Sequence, residues 1–134
     1  MPLDRSMRIL VVDDFSTMRR IVNNLLTDLG FIYIDEADNG ATAWALIQNG
    51  HYDLIISDFN MPKMSGLELL TKIRADKNLN NTPFLLITAE AKRSQFQEAK
   101  QLGVNGYMVK PFTATVLNDH IQKIFEQVAQ QAKV

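Results

Sequence analysis

Five short apolar segments alternate with five longer segments of helical periodicity, and this alternation limits the possible folds more than any other feature of the chain. Short apolar runs rich in β-branched residues are typical of strands that are buried on both faces of a parallel sheet. Parallel strands need a crossover between them, which is usually a helix. The chain is therefore predicted to be an α/β protein with helices on both faces of one sheet. The predicted strands are residues 8–12, 31–37, 54–58, 84–87 and 106–109.

The segments between the strands carry apolar residues at spacings of three and four, as amphipathic helices do. The first helix is predicted to stop at Gly30, with Phe15 and Met18 facing the core. Asn39 is a candidate N-cap for the second helix. The third helix is predicted to begin at a capping box in residues 65–68. The fourth is predicted to span residues 91–102, and the fifth carries an apolar face within residues 116–128.

Length and composition exclude several classes of protein. A chain of 134 residues is large enough for one domain, and we expect a single domain over residues 1–134, without an output domain and with residues 1–6 and the last few loosely held. A net charge of −1 gives no field that would attract nucleic acid or an acidic membrane. The absence of cysteine excludes disulfides and thiol catalysis. With no long apolar run, the protein is predicted to be soluble and cytoplasmic.

Four of the predicted strands end in polar residues that suit phosphate or metal chemistry: Asp13 and Asp14, Asp58, Thr88, and Lys110. Because the carboxyl ends of parallel strands lie at one edge of a sheet, these side chains can line a single crevice. Like charges ~4 Å apart repel by about 4 kcal/mol at an effective dielectric near 20, so three carboxylates there need raised pKa values or a cation. A small set of hard oxygen ligands suits Mg²⁺.

The other two side chains suit a phosphoryl group. The Lys110 ammonium and the Thr88 hydroxyl are donors to phosphoryl oxygens. An aspartate can also act as a nucleophile toward phosphorus and form an aspartyl phosphate.

Each of these residues also has an ordinary structural explanation when it is taken singly. Asp14 could cap the first helix, Thr88 could bond to nearby backbone at a strand end, and Lys110 could be a solvated lysine in a turn. All of these explanations would have to hold together. An acid pair, a central acid, a hydroxyl and a lysine at successive strand ends form an improbable coincidence, which favours a shared functional site.

The chain resembles the response-regulator receiver domain, and in particular its single-domain members that act in chemotaxis, from Met7 to about Val128. This resemblance implies the flavodoxin-like (βα)5 arrangement, a doubly wound parallel sheet of five strands in the order 2-1-3-4-5. The segments that carry it are residues 11–20 (VVDDFSTMRR), 57–62 (SDFNMP), 88–92 (TAEAK) and 106–113 (GYMVKPFT).

The resemblance implies a phosphoacceptor and a metal site. Asp58 would accept a phosphoryl group from a sensor histidine kinase, with Mg²⁺ as the cofactor. Asp14, Asp58 and the backbone carbonyl of Asn60 would bind the metal directly. Asp13 would act mainly through a water molecule.

The resemblance also implies roles for the residues around this pocket. Thr88 and Lys110 would contact the phosphoryl oxygens, and the peptide bond that follows the lysine would be cis. Tyr107 would be the switch aromatic, turning inward from solvent as Thr88 moves toward the phosphoryl group. Asn60 and Glu90 would tune dephosphorylation through the access of water.

Such a protein is expected to signal by binding and not to act as an enzyme on external substrates. The implied partner is the flagellar motor switch, a dedicated phosphatase is a further partner the family allows, and the protein is expected to be a monomer.

Phe96 and His120 stand where close relatives carry a smaller aliphatic residue and a lysine, and Phe59 stands where they carry tryptophan. A phosphate sink or a regulator without a motor partner is therefore an open alternative. The expected output face comprises Lys92, Phe96, Tyr107, His120 and Lys123.

Two other families share parts of the pattern. A flavodoxin needs a phosphate cradle rich in Gly, Ser and Thr after the first strand, where this chain is acidic. A haloacid-dehalogenase-type phosphatase also combines an aspartate nucleophile with Mg²⁺, but it carries an Asp-x-Asp pattern, whereas Asp13 and Asp14 are adjacent. Catalytic turnover with labelling of Asp13 would identify the phosphatase.

Overall fold

The sheet contains five parallel strands in the order β2-β1-β3-β4-β5, with a helix after each strand. These elements come from a computed structural model that describes residues 3–132. The predicted fold class and strand order are therefore confirmed. The strands are β1 (Arg8–Val12), β2 (Tyr33–Ala37), β3 (Leu54–Asp58), β4 (Phe84–Thr88) and β5 (Gly106–Val109). The helices are α1 (Ser16–Asp28), α2 (Gly40–Asn49), α3 (Gly66–Ala75), α4 (Arg93–Gln101) and α5 (Ala114–Ala132).

The core consists of two apolar clusters, one on each face of the sheet. Successive side chains of a strand point to opposite faces, so Ile9 and Val11 enter one cluster and Leu10 and Val12 enter the other. Helices α1 and α5 cover the first cluster, while α2, α3 and α4 cover the second. Burial on both faces explains why β1, β3 and β4 appear in the sequence as nearly continuous apolar runs, whereas the edge strand β2 is mostly exposed and carries two acids.

Two residues predicted to face the core are instead exposed. Phe15 is 63% exposed because it is the N-cap of α1, in an extended conformation, and precedes the helical face to which it was assigned. Val116 is 40% exposed in the first turn of α5, next to the fully buried Leu117. These corrections concern helix ends, where the spacing of apolar residues is least informative.

Two element boundaries also differ from the prediction. Strand β2 begins at Tyr33 and not at residue 31, because Phe31 is buried in the first cluster while Ile32 is 69% exposed. Helix α4 is shorter than the predicted 91–102.

Within the N-terminal segment expected to be loose, Leu3 packs against the first cluster and the Arg5 guanidinium lies 4.8 Å from the centre of the Phe31 ring. Residues 1, 2, 133 and 134 lie outside the described residues.

In the part of the chain that the structure describes, no helix combines the length and the apolar character needed to cross a membrane.

Candidate functional site

The functional crevice lies at the carboxyl edge of the sheet, where hydrogen bonds of the parallel strands continue one step into the following loops. Each of these bonds fixes the backbone next to a polar side chain, so the loops leave the sheet in a defined direction. The bonds run from Asp13 N to Ala37 O at 3.1 Å, from Phe59 N to Ile87 O at 2.8 Å, and from Lys110 N to Thr88 O at 2.8 Å.

Three carboxylates meet in this crevice. Asp13, Asp14 and Asp58 each offer an oxygen atom, and these atoms all lie within 4.8 Å of one another. Asp13 is buried and its Oδ1 accepts a hydrogen bond from Phe15 N at 2.9 Å, whereas Asp14 is exposed. The N-cap residue of α1 is Phe15, and no side chain caps this helix. The capping explanation for Asp14 is therefore wrong.

Lys110 reaches into the crevice between two of the acids. Its Nζ lies 3.0 Å from Asp58 Oδ1 and 3.4 Å from Asp13 Oδ2, and its side chain is only 18% exposed. The Lys110–Pro111 peptide bond is cis, as the resemblance implied. The explanation of Lys110 as a solvated turn lysine is therefore wrong.

The electrostatics of the crevice favour a further cation. Burial raises the pKa of Asp58, the neighbouring Asp13 carboxylate raises it further, and Lys110 opposes both effects. Three carboxylates face one ammonium group, so the ionised pocket carries two uncompensated negative charges. Hard oxygen donors in this number and spacing fit Mg²⁺, which keeps part of its water shell. Asn60, the fourth predicted ligand, is exposed in the loop that follows Asp58.

The Thr88 side chain is held by backbone. It is buried, its hydroxyl donates to Glu90 O at 3.1 Å, and it accepts from Glu90 N at 3.2 Å. The ordinary explanation of this residue, a strand-end hydroxyl bonded to nearby backbone, thus describes its contacts in this structure. The Glu90 carboxylate itself points outward and forms an ion pair with Lys92 at 3.2 Å.

The side chain of Tyr107 is already turned inward in this structure. Its hydroxyl is buried and makes no hydrogen bond within the described residues. Burial raises the pKa of the Tyr107 phenol, and the nearby Thr88 hydroxyl opposes that rise. The Tyr107 ring contacts Phe96 edge to face, with 5.3 Å between ring centres and 79° between planes. Phe96 itself is 42% exposed, so the ring that packs against Tyr107 lies at the surface.

Of the remaining residues of the expected output face, Lys92 is the N-cap of α4, and His120 and Lys123 lie on α5. Lys123 is exposed and His120 is half-buried. Burial, and secondly the Lys123 charge, lower the pKa of His120, so the imidazole is neutral near pH 7. This face consequently presents an aromatic ring and a neutral imidazole beside its lysines.

Arg19 supports the crevice and was not identified from the sequence. Its Nη1 donates to the carbonyl oxygen of Asp13 at 2.8 Å, and its Nε lies 3.2 Å from Glu36 Oε1. The side chain thereby holds the turn after β1 against β2. An arginine on an amphipathic helix gives no local signal for such a role.

The family model for the response regulator receiver domain matches residues 9–122. The chain belongs to the response regulator receiver domain family. It is 58% identical to the chemotaxis protein CheY of Pseudomonas aeruginosa over 122 residues, covering 91% of this chain and 98% of that protein. It is 57% identical to the chemotaxis protein CheY-3 of Vibrio cholerae over 126 residues, covering 94% and 97%.

The fold of this receiver domain is also that of a solved chemotaxis regulator. The crystal structure of CheY4 of Vibrio cholerae aligns with a TM-score of 0.82 at 35% identity, covering 89% of this chain and 98% of that one. The chain is thus a receiver domain of the chemotaxis type. Receiver domains of this type are signalling domains and not enzymes in the ordinary sense.

Proposed function

We propose that this receiver domain accepts a phosphoryl group on Asp58 from a sensor histidine kinase and thereby controls chemotaxis. One observation carries the proposal: the Asp58 carboxylate lies between an ammonium group at 3.0 Å and two further carboxylates within 4.8 Å. Of the two acids paired with Lys110, Asp58 lies nearer the ammonium, at 3.0 Å against 3.4 Å for Asp13, and burial raises the pKa of Asp58.

The proposed chemistry depends more on the positions of the reacting groups than on proton transfer. An Asp58 oxygen attacks phosphorus in line and forms the O–P bond, while the P–N bond of the phosphohistidine breaks and its imidazole nitrogen regains a proton. Lys110 faces the equatorial oxygens and stabilises their charge. Asp14, Asp58 and the Asn60 carbonyl would hold Mg²⁺, with Asp13 acting through water. Bound Mg²⁺ would offset negative charge on the transferred group.

The proposed output is a change of conformation at the face around Tyr107. Thr88 would leave the Glu90 backbone for a phosphoryl oxygen, and the inward position that Tyr107 already has in this structure would be fixed, which would alter the surface offered by α4, β5 and α5. Couplings of this kind are typically about 1–3 kcal/mol. The proposed partner is the flagellar motor switch, and the proposed location is the cytoplasm, as for the chemotaxis regulators that the chain resembles.

A phosphate sink or a regulator without a motor partner is the second candidate. It is favoured by the exposed Phe96 and the neutral His120 on the output face, since both change the size and charge that a motor protein would meet. Binding of the phosphorylated protein to a peptide from the motor switch tests this choice. Phosphorylation without any gain in affinity for the peptide would favour the second candidate.

The phosphoacceptor is tested by incubating the protein with Mg²⁺ and acetyl phosphate and counting the phosphate it retains. We expect an uptake of about one phosphate per chain, on Asp58, because the site holds a single central nucleophile. Release of phosphate over many turnovers from an external substrate, with label on Asp13, would contradict the proposal and indicate a phosphatase.

Replacing Lys110 by alanine should preserve Mg²⁺ affinity or tighten it by up to about tenfold, because the ammonium that competes for Asp13 and Asp58 is removed. Calorimetric titration with Mg²⁺ measures this effect. The variant Lys77→Ala, which removes an exposed lysine in the loop after α3, controls for the change in net charge. A marked loss of Mg²⁺ affinity in Lys110→Ala alone would show that the lysine does not compete with the metal.

A further inference from the structure

Gly40 begins α2 and lies directly against the loop that follows β3. A methyl group on Gly40 would lie 2.6 Å from Met64 Cβ, 2.8 Å from Met64 Cγ and 2.8 Å from the Met64 carbonyl oxygen. The φ angle of Gly40 lies outside the left-handed region, so its backbone does not require glycine. In a helix, alanine would ordinarily be the better residue. Glycine at position 40 is therefore explained by the close approach of Met64, which leaves no room for a side chain.

Met64 belongs to the loop of residues 59–65, which carries Asn60. The two ends of this loop are fixed, since Phe59 N donates to Ile87 O at 2.8 Å and Gly66 N donates to Phe59 O at 2.9 Å. Between these ends, Lys63 has a φ of 69°, a conformation that a residue with a side chain keeps only when its surroundings hold it. The next residue, Met64, packs against the second core cluster and against Gly40.

The other side of this contact is rigid. The N-terminus of α2 is closed by the Asn39 side chain, which accepts a hydrogen bond from Thr42 N at 2.9 Å. Gly40 itself is buried. A methyl group there could not be accommodated by moving the helix end alone, and one of the three close atoms belongs to the Met64 backbone. The loop would have to shift.

We propose that Gly40 is a positioning residue for the magnesium site, acting through Met64 on the loop that carries the Asn60 carbonyl. The inference rests on the proposed function, in which that carbonyl is a ligand. Relieving a 2.6 Å contact to an ordinary separation moves the loop by roughly 1 Å. Mg²⁺ requires nearly ideal octahedral geometry at short distances, so it tolerates little displacement of a ligand.

The test compares Gly40→Ala with the wild type and with Ala45→Gly, an exchange between the same two residue types on the exposed side of α2. In Gly40→Ala, the Mg²⁺ dissociation constant from calorimetry should rise about tenfold. Phosphoryl uptake should fall at limiting Mg²⁺ and recover at saturating Mg²⁺, because the nucleophile and Lys110 are not displaced. Without metal, the backbone amide resonances of residues 60, 61, 63 and 64 should shift. Ala45→Gly should change helix stability only.

A second substitution shows whether the effect passes through Met64. Met64→Gly removes two of the three close atoms, so Gly40→Ala should raise the Mg²⁺ dissociation constant by a smaller factor in the Met64→Gly background than in the wild type. An equal rise in both backgrounds would show that the effect does not pass through Met64. If Gly40→Ala does not fold, Met64→Ala alone should weaken Mg²⁺ binding several-fold by removing the anchor of the loop, and unchanged binding would overturn the inference.

The proposed metal site and the role of Gly40 are tested by different outcomes. Wild-type protein that does not bind Mg²⁺ would overturn the proposed metal site and this inference with it. A wild type that binds Mg²⁺, together with a folded Gly40→Ala variant of the same affinity, would overturn the role of Gly40 alone.

Discussion

Replacing Asp58 by asparagine is expected to abolish phosphoryl uptake from acetyl phosphate. The amide keeps the size of the side chain but is a far weaker nucleophile than the carboxylate, and it removes the negative charge that faces Lys110 at 3.0 Å. Uptake is measured from radiolabel or from the mass of the intact protein. Asp28→Asn is the matched control, because it makes the same exchange at an exposed acid at the C-terminal end of α1 and should leave phosphoryl uptake unchanged. Labelling of Asp58→Asn at the wild-type rate would refute the assignment.

The stability of the same variant separates chemistry from folding. Burial and Asp13 raise the pKa of Asp58, so the folded state binds this proton more tightly than the unfolded state. The stabilising contribution of Asp58 is therefore complete at pH values below its ordinary pKa of 3.8 and is lost as the pH rises through the folded-state pKa. Asparagine does not ionise and so does not lose this contribution as the pH rises. In the absence of metal, Asp58→Asn should therefore have a larger free energy of unfolding than the wild type at about pH 7. Urea unfolding at acidic and neutral pH measures this difference.

Replacing Gly66 by alanine should lower the free energy of unfolding by about 3 kcal/mol, the largest effect on stability that we expect from a single methyl group. The added Cβ would lie 2.2 Å from the carbonyl oxygen of Asp58 and 2.8 Å from Leu86 Cδ2. The first of these atoms is backbone, so no side-chain rotation relieves the contact. Urea unfolding measures the loss.

Gly50→Ala is the matched control for Gly66→Ala. Its added methyl group would meet the Leu46 carbonyl oxygen at 3.1 Å, a contact that a small adjustment relieves, so we expect a change of about 1 kcal/mol or less. Since the displaced carbonyl in Gly66→Ala belongs to Asp58, the proposed phosphoacceptor, phosphoryl uptake should fall in that variant as well. Equal stability of Gly66→Ala and the wild type would show that α3 does not need its close approach to Asp58.

The sequence and the structure agree most closely where the signal is local. The buried strands β1, β3 and β4 were visible as apolar runs. The capping box of Ser65 and Glu68 marked the start of α3, and the structure has both of its hydrogen bonds. The convergence of Asp13, Asp58 and Lys110 also followed from the sequence, because parallel strands end at a common edge. The predictions that failed, Phe15 and Val116 as core residues, lie at the beginnings of helices.

Contacts between distant elements were not visible in the sequence. Arg74 on α3 donates to the carbonyl oxygens of Thr82 and Gly103 and to the Asn105 side chain, and so joins two loops that the sequence does not connect. Gly40 and Gly66 stand at the starts of helices without a positive φ, so nothing local distinguishes them from other small residues. Their importance comes from the atoms that approach them.

The sequence alone determined which elements form and which side chains reach the crevice, because the alternation of strands and helices and the polar strand ends are properties of neighbouring residues. Only the tertiary structure decided the state of those side chains: Lys110 paired with two acids, Thr88 held by the Glu90 backbone, and Tyr107 inward beneath Phe96. These arrangements depend on distances of a few ångströms between separate elements, and the packing of the two core clusters sets those distances.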